Sequence, residues 1–259
     1  MHIKLNHYNK QANVYYSNRP GYSVDILKEI IALTNEEKDQ LCILDLGAGT
    51  GKISEQLVEI GCKNILAVEP HEEMRNFGSN MTPKNKVSWL PCYAENIDIE
   101  DQSCDLIVAG SSFHLVDFNL ALLEASRVLK NTGQLVLIWN PKVIHSHFLL
   151  QKAEAVLAKI SETRIKQLDI NKKSFITSLV SRIEQHGLFQ HVKYLEKENM
   201  VNITANQFIQ MWQVTHNLKE RIGTKNFRIF IAELEGISKQ IKDPIEIAYL
   251  TKAWIFRKV

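Results

Sequence analysis

The ten residues Ile43-Leu-Asp-Leu-Gly-Ala-Gly-Thr-Gly-Lys52 carry the strongest structural signal in this chain. An apolar strand is followed by a turn through Gly47, Gly49 and Gly51, and a helix begins after the turn. Glycines suit such a turn because it needs unusual backbone angles, and because side chains would keep a ligand away from the backbone. The N-terminus of the helix offers N–H groups and a positive dipole end to a polar ligand. The stretch therefore predicts a strand–loop–helix unit that binds a ligand at its loop.

The spacing of the three glycines separates the ligands that use such loops. A phosphate-binding loop of the G-x4-G-K-[ST] type would need a glycine at Leu46 and a hydroxyl at Ile53. The dinucleotide fingerprint G-x-G-x-x-G would need a third glycine at Lys52. The observed G-x-G-x-G spacing favours a cofactor without a pyrophosphate, and a nicotinamide-dependent oxidoreductase stays as an alternative.

An acid at the end of the next predicted strand narrows the choice of ligand. Glu69 lies 20 residues after Gly49, in the sequence Ala67-Val-Glu-Pro70. A carboxylate at this separation can accept hydrogen bonds from both hydroxyls of a ribose, as it does in dinucleotide sites. The glycine loop and Glu69 together favour a cofactor that contains adenosine.

Short apolar runs alternate with amphipathic stretches from residue 41 to residue 140. The runs are continuous and rich in β-branched residues, which is typical of strands buried on both faces of a parallel sheet. We predict strands at residues 42–46, 64–68, 105–109 and 134–139, with a weaker fifth at 87–93. We predict helices between them at residues 52–60, 72–78 and 120–129. Repeated strand–helix–strand units indicate an α/β fold with a doubly wound sheet and right-handed crossovers.

The pattern changes in the C-terminal part of the chain. We predict helices there at residues 147–160, 175–186, 204–217 and 226–241, and longer, alternating strands at 191–201 and 245–256. Such strands are expected at one edge of the sheet, with at least one of them antiparallel. The whole prediction is a mostly parallel, seven-stranded, Rossmann-like sheet in one domain over residues 1–259. A helical leader (1–40) and the C-terminal segment (141–259) would cover a cofactor-binding core (41–140).

Composition and charge exclude several classes of protein. The chain has 259 residues, 45% of them hydrophobic, and a net charge of +2, which are ordinary values for a globular protein. A near-neutral balance supplies no general field for nucleic acid or an anionic membrane, so we expect neither as a partner. The four cysteines, Cys42, Cys62, Cys92 and Cys104, show neither zinc-ligand spacing nor a disulfide framework, so we expect reduced thiols and no metal. The polar N-terminus predicts no signal peptide and a cytoplasmic location.

Five motifs in order resemble those of class I S-adenosylmethionine-dependent methyltransferases, specifically the type-11 small-molecule group. Leu44-Asp-Leu-Gly-Ala-Gly-Thr-Gly51 resembles the first motif of that family, and Val68-Glu-Pro70 resembles the second. Ala94-Glu95 is similar to the turn that contacts adenine. Asp105-Leu-Ile-Val-Ala109 with Ser111-Ser-Phe-His114 is similar to the fourth motif, and a fifth leads into the next strand at residues 127–133. The resemblance implies S-adenosylmethionine as the cofactor and methyl transfer as the activity.

The resemblance also implies roles for individual residues around the cofactor. Backbone groups of the glycine loop would hold its methionyl end, acids would hold its ribose and adenine, and the end of the fourth strand would lie beside its sulfonium. The leader segment would bring an aromatic residue and an arginine to the cofactor. The implied cofactor-binding residues are Tyr15, Arg19, Gly47, Ala48, Gly49, Glu69, Pro70, Ala94, Glu95, Ala109, Gly110 and Ser111.

The acceptor is predicted to be a small organic molecule whose nucleophilic atom attacks the methyl group in line. His114 follows the fourth strand, at the edge where ligands bind in such sheets, and is the candidate general base and catalytic residue. The candidate substrate residues are Phe113, His114, Trp139, Trp212 and His216. A nucleic-acid or peptide methyltransferase is an alternative, although Gly110-Ser-Ser-Phe113 differs from the Asn/Asp-Pro-Pro-Tyr/Phe turn of amino-methylating enzymes. A non-catalytic cofactor-binding module of the same fold is a further alternative.

Overall fold

The computed structural model describes residues 12–34, 36–160, 176–213, 215, 218–239, 241 and 244–259. The strands are β1 Cys42–Leu46, β2 Asn64–Val68, β3 Val87–Leu90, β4 Cys104–Gly110, β5 Leu129–Trp139, β6 Phe189–Ile203 and β7 Ile245–Lys258. The helices before β6 are α1 Ala12–Asn18, α2 Val24–Ala32, α3 Lys52–Ile60, α4 Glu72–Met81, α5 Phe118–Val128, α6 Phe148–Ile160 and α7 Leu179–Gln185. The helices after β6 are α8 Ala205–Gln213, α9 Leu218–Ile222 and α10 Thr224–Ser238.

The strands form one seven-stranded sheet in the order β3-β2-β1-β4-β5-β7-β6. The five strands from β3 to β5 are parallel, and β7 is antiparallel to both β5 and β6. The predicted seven-stranded, mostly parallel sheet with antiparallel strands at one edge is therefore confirmed. The sheet order reverses between β1 and β4, and ligands bind at such a switch point, outside the carboxyl ends of the strands.

Helices cover both faces of the parallel strands. Successive residues of a strand point to opposite faces of the sheet, so a continuous apolar run places apolar side chains on both faces, and both need to be buried. On β1, Leu44 packs into a core with α5 and α7, whereas Ile43 packs into a core with α2 and α3. Both side chains are fully buried. This two-sided burial explains the continuous apolar runs and confirms the doubly wound arrangement.

A third apolar core lies beneath the C-terminal helices. It joins α6, α8, α9 and α10 to the first part of β7, through residues such as Phe230, Trp212 and Ile247. The leader reaches the same region, because the Asn18 amide on α1 donates a hydrogen bond to the Gln210 side chain on α8 at 3.2 Å. The leader and the C-terminal helices thus meet, as the predicted cover requires.

The largest difference from the prediction is the connection between α5 and β5. The sequence predicts a helix over residues 120–129 and a strand only from residue 134, because Lys130-Asn-Thr-Gly133 is typical of a turn that ends a helix. In the structure α5 starts two residues earlier, and β5 begins at Leu129 without a separate turn. Asp117 caps α5 by accepting hydrogen bonds from the N–H groups of Asn119 and Leu120, each at 3.1 Å. Leu129 pairs with Cys104 on β4, so strand pairing outweighs the local turn signal.

The C-terminal helices differ from their predicted bounds at their ends. Within the described ranges, the predicted helix 175–186 includes α7 and the predicted helix 204–217 includes α8. Residues 175, 214, 216 and 217 of these two predictions lie outside the described residues. No helix in these ranges is long and apolar enough to cross a membrane.

Candidate functional site

The glycine loop is anchored at its base by a buried carboxylate. Asp45, one residue before the end of β1, accepts hydrogen bonds at Oδ2 from the Ser54 N–H at 3.0 Å and the Ser54 hydroxyl at 2.7 Å. These bonds fix the first turn of α3 to the strand that precedes the loop. Burial raises the pKa of Asp45 to about 7, and the Glu69 carboxylate adds to the rise. The sequence prediction did not single out Asp45, although it lies inside the first motif.

Two glycines of the loop serve different needs. Gly47 has a φ of +70°, and a Cβ there would lie 2.6 Å from the Cβ of Ser112. Ser112, after β4, donates a hydrogen bond to the Leu46 carbonyl at 2.7 Å, so it clamps the loop to the neighbouring strand. Gly49 has a φ of +58°, and a Cβ there would meet nothing within 4 Å. Gly47 therefore allows close packing, whereas Gly49 borders open space.

The N–H groups of the loop are used inside the protein. Those of Gly47 and Ala48 both donate to the Val68 carbonyl at 2.9 Å. The N–H of Gly49 donates to Glu69 Oε2 at 2.8 Å. A pyrophosphate is bound by such N–H groups at a helix N-terminus. Their internal use therefore disfavours the dinucleotide alternative.

Glu69 joins the ends of β1 and β2. Its Oε1 accepts a hydrogen bond from the His71 N–H at 2.8 Å, while Oε2 holds Gly49, and the residue is only 7% exposed. Burial raises the pKa of this carboxyl group. Arg75 holds the same turn by donating to the carbonyls of Glu69 and Pro70, at 2.9 and 3.1 Å. Each oxygen of an ionised carboxylate can accept a second hydrogen bond, so Glu69 can still bind the hydroxyls of a ribose.

The turn after β3 and the end of β4 lie at the same edge of the sheet. Ala94 is buried, and Glu95 Oε1 accepts a hydrogen bond from the Asp117 N–H at 2.7 Å. Ala109 is fully buried within the core. A Cβ at Gly110 would lie 2.4 Å from Ile53 Cδ1 on α3, so a larger residue there would require the Ile53 side chain to move.

Tyr22 contacts the predicted site residues Gly110 and Ser111, and sequence reasoning missed it. Its hydroxyl would lie 2.8 Å from a Cβ at Gly110 and donates a hydrogen bond to the Ser111 hydroxyl at 3.2 Å. Ser111 has a φ of 56°, which is rare for a residue with a side chain. The Gln56 amide holds Tyr22 from both sides, accepting from its N–H and donating to its carbonyl. Burial strongly raises the pKa of the Tyr22 phenol, so the hydroxyl is neutral.

The leader residues Tyr15 and Arg19 contact each other. The Arg19 guanidinium lies 5.0 Å from the centroid of the Tyr15 ring. Its charge also acts on Tyr22 and on Tyr249 of β7, where it opposes the rise in pKa that burial causes. Tyr16 fixes the leader to α3, because its hydroxyl donates to the Glu55 carboxylate at 2.8 Å.

The predicted substrate residues occupy different environments. Phe113 is buried edge-on to Phe118, with ring centroids 5.8 Å apart. Trp139 and Trp212 are also buried, and the Lys142 ammonium lies 4.3 Å from the centroid of the Trp212 ring.

His114 is half-buried in the turn after β4, and His216 lies outside the described residues. In the part of the chain that the structure describes, no group of three His, Cys, Asp or Glu side chains could hold a metal ion.

A doubly wound sheet with a glycine loop and a buried carboxylate at its switch point is the arrangement typical of nucleotide-binding α/β proteins. The family model described as a methyltransferase domain matches residues 44–137. The uncharacterized methyltransferase-like C25B8.10 of Schizosaccharomyces pombe is 32% identical over 257 residues, covering 94% of this chain and 92% of that protein. The uncharacterized methyltransferase C25B8.09 of the same organism is 28% identical over 253 residues, covering 95% and 94%. The chain belongs to the class I S-adenosylmethionine-dependent methyltransferase family.

A solved structure shares the fold over almost the whole chain. It is a candidate type II methyltransferase from Anaeromyxobacter dehalogenans, which superposes with a TM-score of 0.64 at 15% sequence identity. The match covers 92% of this chain and 97% of that protein. At this identity the likeness shows a shared fold over most of both chains.

Proposed function

We propose that this protein transfers the methyl group of S-adenosylmethionine to a nucleophilic atom of a small organic acceptor, by in-line displacement. The observation that carries the proposal is the position of the Glu69 carboxylate. It is buried, held by the Gly49 N–H at 2.8 Å, and adjoins the open space above Gly49. This position supports a role for Glu69 in binding the ribose and for the backbone at Gly49 in binding the amino-acid end, at the switch point of the sheet.

These residues fit the chemistry of the cofactor. When bound, S-adenosylmethionine supplies a methyl group activated by the positive sulfonium. In our assignment Glu69 and Pro70 hold the ribose, Ala94 and Glu95 hold the adenine, and the loop at Gly47–Gly49 holds the amino-acid end. Because the loop N–H groups are engaged internally, contact with that end would use carbonyl oxygens, which suit its ammonium group.

The cover supports a small acceptor. The leader is tied to α3 by the Tyr16–Glu55 hydrogen bond and to α8 by the Asn18–Gln210 hydrogen bond, so it spans the edge where the cofactor would lie. A covered site can exclude water and orient a small nucleophile, and orientation alone can contribute about 7–11 kcal/mol to a rate. A polymer would need an open groove at this edge instead.

His114 is the proposed general base for an acceptor that must lose a proton. It lies half-buried in the turn that follows β4, three residues after Ser111. Neutral imidazole can remove a proton near neutral pH, and a positioned base typically contributes about 10²–10⁴-fold. An acceptor that is already ionised would not need it, so the loss of rate in His114→Gln also reports the kind of nucleophile.

Titration calorimetry with S-adenosylmethionine and its demethylated product tests the cofactor assignment. We expect Glu69→Gln to weaken binding by about 10–100-fold, because hydrogen bonds to a charged acceptor contribute about 1.5–3 kcal/mol. Glu72→Gln is the matched control, since it removes the same charge from an exposed position at the start of α4. Equal affinities for Glu69→Gln and the wild type would overturn the assignment.

Incubation with the methyl-labelled cofactor and a metabolite extract tests the acceptor class. Label in a small molecule supports the proposal. Label in added RNA or peptide would favour those alternatives, and salt-sensitive RNA binding would accompany the first of them. Cofactor binding without any labelled product would indicate a non-catalytic module, and preferential binding of a nicotinamide dinucleotide would indicate an oxidoreductase.

A further inference from the structure

Two cysteines lie together at the edge of the sheet opposite the glycine loop. Cys42 is the first residue of β1 and Cys104 is the first residue of β4, and their Sγ atoms are 3.9 Å apart. The glycine loop follows the last residue of β1, Leu46. The thiol pair is therefore separated from the candidate cofactor site by the length of the strand.

The backbone geometry permits a covalent bond between these thiols. β1 and β4 are neighbouring parallel strands, with Ile43 paired to Leu106, so Cys104 lies close to the level of Cys42. Neighbouring strands are about 4.7–4.9 Å apart, and disulfides join Cα atoms that are about 4.4–6.8 Å apart. Side-chain rotation could therefore close the gap between the sulfurs.

The two thiols have complementary surroundings. Cys42 is half-buried, whereas Cys104 is fully buried. Asp105 holds the Cys42 N–H at Oδ2, at 2.9 Å, and the Lys130 ammonium at Oδ1, at 2.6 Å. The hydrogen bond with Cys104 and the charge of Lys130 lower the pKa of Cys42, although burial and Asp105 oppose them. The hydrogen bond with Cys42 and burial raise the pKa of Cys104. Cys42 is thus the accessible nucleophile, and Cys104 is the protected second thiol.

We propose that Cys42 and Cys104 form a hydroperoxide-oxidisable pair that converts to a disulfide joining β1 to β4. In the first step, the Cys42 thiolate attacks one peroxide oxygen, the O–O bond breaks, and hydroxide leaves, so Cys42 becomes a sulfenic acid. In the second step, Cys104 sulfur attacks Cys42 sulfur, the S–S bond forms and the S–O bond breaks. The departing hydroxide takes the Cys104 proton as water. One peroxide thus accepts two electrons from the thiol pair.

The other two cysteines are internal references for this reaction. Cys62 is fully buried, and burial raises its pKa to about 11, so little thiolate is present at neutral pH. Cys92 is half-buried like Cys42, but it lies after β3, outside the pair. Cys92→Ser is therefore the matched control variant.

To test the proposal, the reduced full chain is treated with equimolar hydrogen peroxide. Its peptides are then mapped by mass spectrometry under non-reducing conditions, so that any disulfide is kept. We expect a loss of two hydrogens and a Cys42–Cys104 linked peptide, in the wild type and in Cys92→Ser. We expect Cys104→Ser to stop at a sulfenic acid on Cys42, trapped by dimedone, and Cys42→Ser to form no linked peptide. Because a disulfide restricts the unfolded chain, Tm should rise by several degrees and return after dithiothreitol.

Wild-type measurements keep the proposal falsifiable if a serine variant fails to fold. Absence of the linked peptide, or oxidation of Cys92 as fast as Cys42, would overturn it. Equal rates of disulfide formation in native and urea-unfolded wild-type chain would also overturn it, because the native geometry would then contribute nothing. Cofactor affinity should change by less than about twofold on oxidation, since the pair lies at the opposite edge.

Discussion

The parallel strands and the C-terminal region of this protein are stabilised in different ways. β1 and β2 are five residues long, and their carboxyl ends are held by polar side chains, as in the Asp45–Ser54 and Glu69–Gly49 hydrogen bonds. β6 and β7 have 15 and 14 residues, and the helices beside them share an apolar core around Phe230. The first region fixes the atoms of the candidate cofactor site, whereas the second is held together by apolar packing.

This difference indicates which region would bind the cofactor and which would select the acceptor. Polar contacts with a defined geometry suit a cofactor whose shape is constant. An apolar core tolerates substitution while its total volume is kept, so a cover built on it can change its inner wall without losing the fold. Cofactor binding should therefore depend on the first region, and acceptor choice on the second.

Truncation of Trp212 should give the largest effect and test whether the regions are separable. Trp212 is 4% exposed and packs edge-on to Phe230, with ring centroids 5.4 Å apart. We expect Trp212→Ala to lower the free energy of unfolding by about 3–5 kcal/mol, measured by denaturant titration. Trp212→Phe, which keeps an aromatic ring, should lose much less. Cofactor affinity should stay within about twofold, and a parallel fall in affinity would contradict the separation.

Substitution of Gly47 should weaken cofactor binding at the carboxyl ends of the parallel strands while changing the stability of the C-terminal core little. The positive φ and the close approach of Ser112 mean that Gly47→Ala strains the loop by about 1–3 kcal/mol. We expect cofactor affinity to fall by about 10–100-fold in calorimetry, with only a small loss of stability in the C-terminal core. Wild-type affinity in this variant would show that the loop is not the cradle.

The buried Asp45 carboxyl should make stability depend on pH. Its pKa is raised to about 7 in the folded protein, so between about pH 4 and pH 7 the folded state binds a proton that the unfolded state does not. The free energy of unfolding should therefore fall as pH rises from 5 to 8, by about 1–3 kcal/mol relative to Asp45→Asn. Denaturant titrations of both proteins across this range measure the difference. Parallel pH profiles would refute the raised pKa.

Substitution of Gly236 should change stability least, and it serves as a control for Gly47→Ala. Gly236 lies within α10, away from the glycine loop, and a Cβ there would meet nothing within 4 Å. Gly236→Ala should stabilise the protein by about 0.5–1 kcal/mol, because alanine favours the helix. Thermal unfolding measures the gain, and calorimetry should show unchanged cofactor affinity. A destabilised variant would contradict the open space that the structure shows around Gly236.

The cofactor region was predictable because its signals are local. The predicted helix 52–60 matches α3 at both ends, since the glycines and the buried strand before it define the start. The predicted strands 42–46 and 64–68 match β1 and β2 for the same reason. Glu69 could be singled out because it ends the next predicted strand and follows the glycine loop at a separation that suits a ribose-binding acid.

The rest of the site depends on contacts between distant segments. Tyr22 reaches Ser111 across 89 residues of chain, and no local pattern marks that pairing. An aromatic residue such as Phe113 has the same sequence signature whether it lines a cavity or packs in a core. The structure buries Phe113, Trp139 and Trp212, whereas their roles toward an acceptor stay predictions.

The position of β7 has a consequence for the order of assembly. β7 follows β6 along the chain but lies between β5 and β6, so among the described strands β6 joins the sheet through β7 alone. We expect the amides of β1 and β4 to gain protection first during refolding, and those of β6 last, in pulsed hydrogen exchange. Protection of β6 before β7 would show a different route. A partly refolded chain would expose β5 as a bare edge, where other chains could add strands, so the interval before β7 docks is the period of greatest aggregation risk.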